Sequence, residues 1–150
     1  MIPFILLERI AGKMLTNELT IEATLQNIPV VTDFVDAELE KISCNPKAQM
    51  QIDVAIDELF SNIARYAYNP EVGPATVRVE VAKDPDCVII TFIDNGVPYD
   101  PLAKEDPDVT LSADQRPIGG LGIFMVKKTM DSVSYEYKHG QNILHIKKNV

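Results

Sequence analysis

The apolar residues of this chain change their spacing in a fixed order, and that order restricts the possible folds more than any single motif does. Leu19, Ile21 and Ala23 alternate with polar residues, as in a half-buried strand. Asn27 stands where a helix N-cap is needed, and Val30, Val31, Phe34, Val35, Leu39 and Ile42 then fall at helical spacing up to Asn45-Pro46. A second helix is predicted from Pro46 to about Tyr68, with Ile52, Ala55, Ile56, Leu59, Phe60, Ile63 and Ala67 on one face, stopped by Asn69-Pro70 and Gly73-Pro74. Period two returns over 75–82 and 87–93, a hairpin turning at Asp84-Pro85-Asp86. Regular spacing then disappears from Asp94 to Gly120, a stretch holding Pro98, Pro101, Pro107 and Pro117, and loops this long in small domains are commonly functional lids or disordered. Ile123, Phe124, Val126 and Met130 restore a short helix, and strands over 132–138 and 142–147 close the chain through His139-Gly140-Gln141. This order lacks the strict βαβ alternation of a parallel doubly wound sheet. It predicts an α/β fold, a two-layer sandwich with a mixed, mainly antiparallel sheet.

The 150 residues suit one domain, which at that length buries roughly two-thirds of its unfolded surface. Residues 1–13 are read as a possible N-terminal extension and 14–150 as the domain, because Met14 lies just before the first strand signal. The 22 acids against 14 bases, a net charge of −8, disfavour a nucleic-acid or anionic-membrane surface, whose phosphates are held mainly by Lys and Arg. No run approaches the roughly 20 apolar residues that span a bilayer. The apolar start from Ile2 to Leu7 meets Glu8 and Arg9 and has no basic segment before it, unlike a secretory signal. Cys44 and Cys87 fit neither a zinc site nor a disulfide framework and are read as buried thiols of a reducing, cytoplasmic protein.

Three short features carry chemistry. Glu58 and Asn62 lie four apart on the second helix, beside its apolar stripe, and Arg65 and Asn69 continue that polar line. Alone they suit a solvated helix edge equally well; as a site, the carboxylate would accept a proton and the amide oxygen would hold Mg²⁺. Asp94-Asn95-Gly96 follows a strand, where Asp94 could accept from an exocyclic amine and Gly96 could let the backbone pass under a ring, although the triplet is also an ordinary turn. Gly119-Gly120-Leu121-Gly122 opens a helix, whose free N–H groups can cradle phosphates; glycines also simply enter helices.

Taken together and in this order, the features resemble the GHKL ATPase superfamily, and within it most closely the bacterial anti-sigma-factor serine kinases. The segment Asp57-Glu58-Leu59-Phe60-Ser61-Asn62-Ile63-Ala64-Arg65-Tyr66-Ala67-Tyr68 looks like that family's N box. Asp94-Asn95-Gly96-Val97-Pro98-Tyr99-Asp100-Pro101 looks like its adenine box, and Gly119 to Val126 like its phosphate box, followed by Met130-Asp131. The resemblance spans about residues 18 to 148. It implies the Bergerat, histidine-kinase-like ATPase fold and an ATP/ADP site with Mg²⁺. Glu58 would be the general base, Asn62 the Mg²⁺ ligand, Asp94 the acceptor for the adenine amino group, and the Gly120 and Gly122 amides the phosphate donors. Arg65, Gly96, Gly119, Leu121 and Asn142 complete the implied nucleotide site. The implied substrate is a serine on a small anti-sigma-factor antagonist protein, with a sigma factor as the second partner. Tyr66 stands where many relatives carry His, and Asn142 where a Thr commonly helps hold adenine.

A complete sensor histidine kinase would need an acceptor His upstream of the site, whereas His139 and His145 lie after it. A stand-alone ATP module is therefore expected, either a kinase or a regulatory module of the same fold without phosphotransfer. Glu58 favours the kinase, since nucleotide binding alone needs no base. Residues 102–117 are expected to form a mobile lid that brings Arg116 to the γ-phosphate. A homodimer across the edge of the first strand is also expected, against the alternative that residues 1–13 cover that edge and leave a monomer.

Overall fold

The computed structural model describes residues 14–82, 86–103 and 121–150. Five strands, β1 (Met14–Glu22), β2 (Pro74–Ala82), β3 (Cys87–Asp94), β4 (Ser132–Lys138) and β5 (Gln141–Asn149), form one sheet in the order β1-β2-β3-β5-β4. Every pairing among them is antiparallel, so the sheet is more uniform than the mixed one expected. Three helices, α1 (Ile28–Glu40), α2 (Pro46–Asn62) and α3 (Leu121–Thr129), form the second layer, with α2 between the other two.

Strand alternation decides which side chains meet the helices. Val77 and Val79 of β2, Val88, Ile90 and Phe92 of β3, and Leu144 and Ile146 of β5 share one core with Val31, Val35 and Leu39 of α1 and Ile52, Ile56 and Phe60 of α2. Burying each such side chain contributes about 1.5–3 kcal/mol. The stripe predicted for α2 is the stripe observed: Ile52, Ala55, Ile56, Leu59 and Phe60 are all buried. Edge strand β1 is tied to the helical layer by Asn17, whose amide donates to the buried Glu38 of α1, and Lys41 pairs with the same carboxylate at 2.9 Å.

The two ends of α1 differ from expectation. Asn27 does not cap α1 with its side chain; it ends a short 3₁₀ turn, and its amide donates back to the Glu22 carbonyl at 2.8 Å. Helix α1 stops at Glu40 because Ser43 takes a positive φ of 52° and the Cys44 N–H returns to the Leu39 carbonyl. Asn45 is the working cap instead, accepting from the Ala48 N–H at 2.8 Å with Pro46 in the first turn of α2. The β4–β5 hairpin turns at His139 and Gly140, both at positive φ, which suits the twist of the two strands. Of the two free cysteines, Cys87 is buried as expected, whereas Cys44 is half-buried in the α1–α2 turn. The expected extension, the Asp84-Pro85 turn and most of the expected lid, residues 104–120, lie outside the described residues.

Between α1 and α2, Asp36 and Asp53 each keep one carboxylate oxygen buried without a hydrogen-bond donor. Burial first, then the hydrogen bond to Asp36 and the charges of Asp36 and Asp33, push the Asp53 carboxyl up to about 7. The folded state therefore holds a proton that the unfolded chain releases at ordinary carboxylate pH, so this pair's contribution to stability falls as pH rises from about 4 to about 7. Asp53→Asn, which supplies an N–H donor without a titrating proton, should be more stable than the parent at pH 8 and gain little at pH 5. Urea unfolding midpoints at the two pH values test this; a parent advantage at pH 8 would contradict it.

Candidate functional site

The α2 helix does not end where its α-helical hydrogen bonding stops. Residues Ile63–Ala67 continue it as a π-helical turn, with no break in direction. A π turn holds more residues than an α turn and so shifts the facing of everything after it. Leu59, Asn62, Ile63, Tyr66 and Ala67, spaced as on one helical face, line a cleft, while Arg65 is exposed and is not among the lining residues. The straight polar line predicted from Glu58 through Arg65 to Asn69 is thus bent away at Arg65. Asn69 is exposed and leads into Pro70 through a cis peptide bond.

The cleft encloses about 440 Å³, open mouth included, between the end of α2 and the inner face of β3, β4 and β5. Its floor is apolar, with Leu59, Phe92 and Leu144, and its polar groups are few: Asn62, Asp94, Asn142 and the tyrosines. A largely apolar slot with a few fixed polar groups suits a flat heteroaromatic ring. Asp94, at the end of β3, is 5% exposed. Its Oδ1 accepts from the Gly96 N–H at 2.8 Å and from the Asn142 amide at 2.9 Å. Burial is the largest effect on this carboxyl and raises its pKa, while the bonds from Asn142 and Gly96 favour the ionised form and pull it back.

The loop after β3 is seated on the end of α2. The Val97 N–H donates to the Ala67 carbonyl at 3.0 Å, and a Cβ built on Gly96 would overlap that same carbonyl. Tyr68 adds a second tie: its hydroxyl donates to the Pro74 carbonyl at 2.6 Å and accepts from the Asn95 N–H at 2.9 Å. Gly96 is therefore required by close backbone approach, and what it approaches is the π turn, whereas the sequence reading gave it a place under a ring.

Glu58 is half-buried and faces the start of α3. A Cβ on Gly122 would collide with the Glu58 carboxylate, so the glycine is what lets the helix start approach the acid. The structure thus joins two motifs 64 positions apart in the sequence. Leu121 is exposed at the head of α3 and does not line the cleft. Arg116, Gly119 and Gly120 lie outside the described residues.

Three tyrosines of the cleft carried no role in the sequence reading. Tyr66 and Tyr99 pack with ring centroids 5.5 Å apart, and Tyr135 projects inward from β4. The alternation of Val133, Tyr135 and Tyr137 could have placed Tyr135 on the inner face; Tyr99 sits in irregular loop and gave no periodic signal.

A protein-family model, the histidine kinase-like ATPase domain, matches residues 21–148. The chain belongs to this family. The matched region contains the whole cleft, β2, β3 and β4, the last two residues of β1 and all of β5 but its last residue. Among curated relatives, it is similar to the serine/threonine-protein kinase BtrW of Bordetella bronchiseptica, 28% identical over 98 residues covering 65% of this chain and 68% of that protein. It is likewise similar to the serine-protein kinases RsbW of Bacillus cereus and Bacillus mycoides, 30% and 29% identical over 98 residues. Each of those matches covers 63% of this chain and 60% of the relative. No helix among the described residues is long and apolar enough to cross a membrane.

The two described glycines at the site should respond differently to a methyl group. Gly96→Ala drives Cβ into backbone that cannot move aside and should cost about 1–3 kcal/mol. Gly122→Ala meets only the end of a flexible side chain, so Glu58 should swing away at a smaller cost in stability. Urea unfolding of both variants measures this, and equal losses would contradict the difference.

Proposed function

We propose that the protein is an Mg-ATP-dependent serine/threonine protein kinase that phosphorylates a small anti-sigma-factor antagonist and sequesters a sigma factor in the cytoplasm. The observation that carries this reading is the position of Glu58: the one acid of α2 set against the head of α3, one helical turn from the cleft-lining Asn62. A site that only held nucleotide would have no use for a carboxylate beside the phosphate-binding glycines. The family membership and the names of the kinase relatives support the same reading.

The residues present fit the groups such a reaction needs. Asp94 offers a buried carboxylate to a ring amine, the apolar floor fits a purine, and the missing side chain of Gly122 leaves room for Glu58 beside the head of α3. Asn62 is the residue that would hold Mg²⁺ through its amide oxygen, as its type and placement allow. The metal, when bound, would offset phosphate charge as phosphoryl transfer proceeds. Glu58 takes the proton of the acceptor serine hydroxyl; the serine oxygen bonds to the γ-phosphorus as the bond from that phosphorus to the β,γ-bridging oxygen breaks, and ADP leaves with that oxygen's electron pair. Gly119, Gly120 and Arg116 are assigned to the phosphates on sequence grounds, Arg116 from a closing lid. The homodimer belongs to the same proposal, supported by β1 standing at an edge of the sheet.

Glu58→Gln should bind Mg-ADP with near-parental affinity and lose about 10²-fold or more in phosphotransfer, because the general base is gone and the shape is kept. Asn62→Ala should also weaken the dependence of nucleotide binding on Mg²⁺. Calorimetry with and without Mg²⁺, together with transfer of labelled phosphate to a purified antagonist protein, reads both outcomes. Undiminished transfer by Glu58→Gln would remove the base assignment and favour a regulatory ATP-binding module.

A further inference from the structure

Asn142 sits on the cleft wall at the β5 position paired with Asp94 of β3, yet its amide is fully engaged by the protein. The amide nitrogen donates to Asp94 Oδ1 at 2.9 Å and to the Val97 carbonyl at 2.9 Å. The amide oxygen accepts from the Tyr99 N–H at 3.1 Å and from the Tyr135 hydroxyl. An amide has two N–H donors and two acceptor positions, so these four bonds use its ordinary capacity, with the Gly96 carbonyl a longer, shared contact of the nitrogen at 3.5 Å. Only one orientation satisfies them, because a carboxylate and a carbonyl face the nitrogen while a backbone N–H faces the oxygen. Asn142 is 6% exposed, and a reversed amide there would leave buried acceptors facing one another.

On the reading of the cleft as an adenine site, we infer that Asn142, locked by Tyr135, is a positioning residue that sets base specificity through Asp94 rather than a group that touches the nucleotide. Asp94 Oδ1 is occupied by Asn142 and the Gly96 N–H, and no bond from a described residue reaches Oδ2. That second oxygen is the one left to accept from a ligand's exocyclic amine. A base bearing a carbonyl oxygen there would present an acceptor to an acceptor and be rejected. Tyr135 completes the arrangement from β4. Burial, the largest effect on its phenol, raises its pKa and keeps the hydroxyl a donor toward the Asn142 oxygen. Through Val97 and Tyr99 the same amide also fixes the loop that walls the cleft.

A double-mutant cycle on the full chain separates positioning from contact. Affinities for ADP and GDP are measured by calorimetry for the parent, Asn142→Ala, Tyr135→Phe, Asp94→Asn and Asp94→Asn/Asn142→Ala. Asn142→Ala should reduce the ADP-over-GDP preference about tenfold, the scale of a lost hydrogen bond to a charged group, and Tyr135→Phe should reduce it in the same direction by less. In the Asp94→Asn background the loss of Asn142 should have little further effect on that preference, since residues acting through one another are not additive. An equal loss of ADP affinity in both backgrounds would establish direct contact and overturn the inference. So would an unchanged ADP-to-GDP ratio in Tyr135→Phe, which removes one hydroxyl and leaves the fold otherwise intact. A parent that binds ADP and GDP equally would instead overturn the adenine reading itself, and the inference with it.

Discussion

The hydrogen bond between Asp94 and Asn142 is the interaction on which the rest of the cleft depends. A carboxylate placed at the inner end of a central strand, with 5% of its surface exposed, is costly unless donors reach it. The antiparallel register of β3 and β5 puts Asn142 directly opposite, and the turn after β3 adds the Gly96 N–H. Satisfying that one acid therefore fixes the sheet register, the path of the loop and the seat of that loop on the end of α2. The Val97 bond to Ala67 follows from the same path, and it is possible only because Gly96 has no side chain.

Helix α2 links this polar end to the core. Its first turns are held by the Asn45 cap and by a continuous buried stripe, so the helix is positioned by bulk packing before any site residue is considered. Its last turns leave the α-helical pattern. Within the π turn over Ile63–Ala67, Tyr66 and Ala67 line the cleft and Arg65 is exposed. π turns are often found at functional sites, where they re-aim a few side chains while the packed part of the helix stays in place.

These features also mark what the sequence made legible. Spacing gave the three helices, the five strands and the α2 core face, because period 3.6 and period two leave strong patterns when one face is buried. The placement of Asn62 and Asp94 in one cleft, and of Glu58 beside Gly122, was legible in part because each sits at a recognisable junction of helix, strand and turn. The exposure of Arg65, in a π turn that leaves no spacing signal of its own, was not legible, nor was the cap of α1, because the Asn27 side chain bonds backward to Glu22 rather than forward to the helix. Asn142 was legible as a polar residue near the adenine position. Its four partners were not, since they come from three segments that meet only once the sheet is assembled.

Charge imposes the final constraint on how such a cleft could hold a polyphosphate. With a net charge of −8 the chain repels a nucleotide at long range, and Asp94 in the cleft and Glu58 beside Gly122 add to that repulsion. Attraction must then be local and directional. Backbone N–H groups at the head of α3 can provide it, because the dipoles of a helix start act within about the first turn and need no mobile cation. A glycine stands at position 122 beside an acid because any side chain there would push Glu58 away. The close approach of Glu58 to Gly122 thus sets a carboxylate against the first turn of α3, where only a residue without a side chain leaves it room.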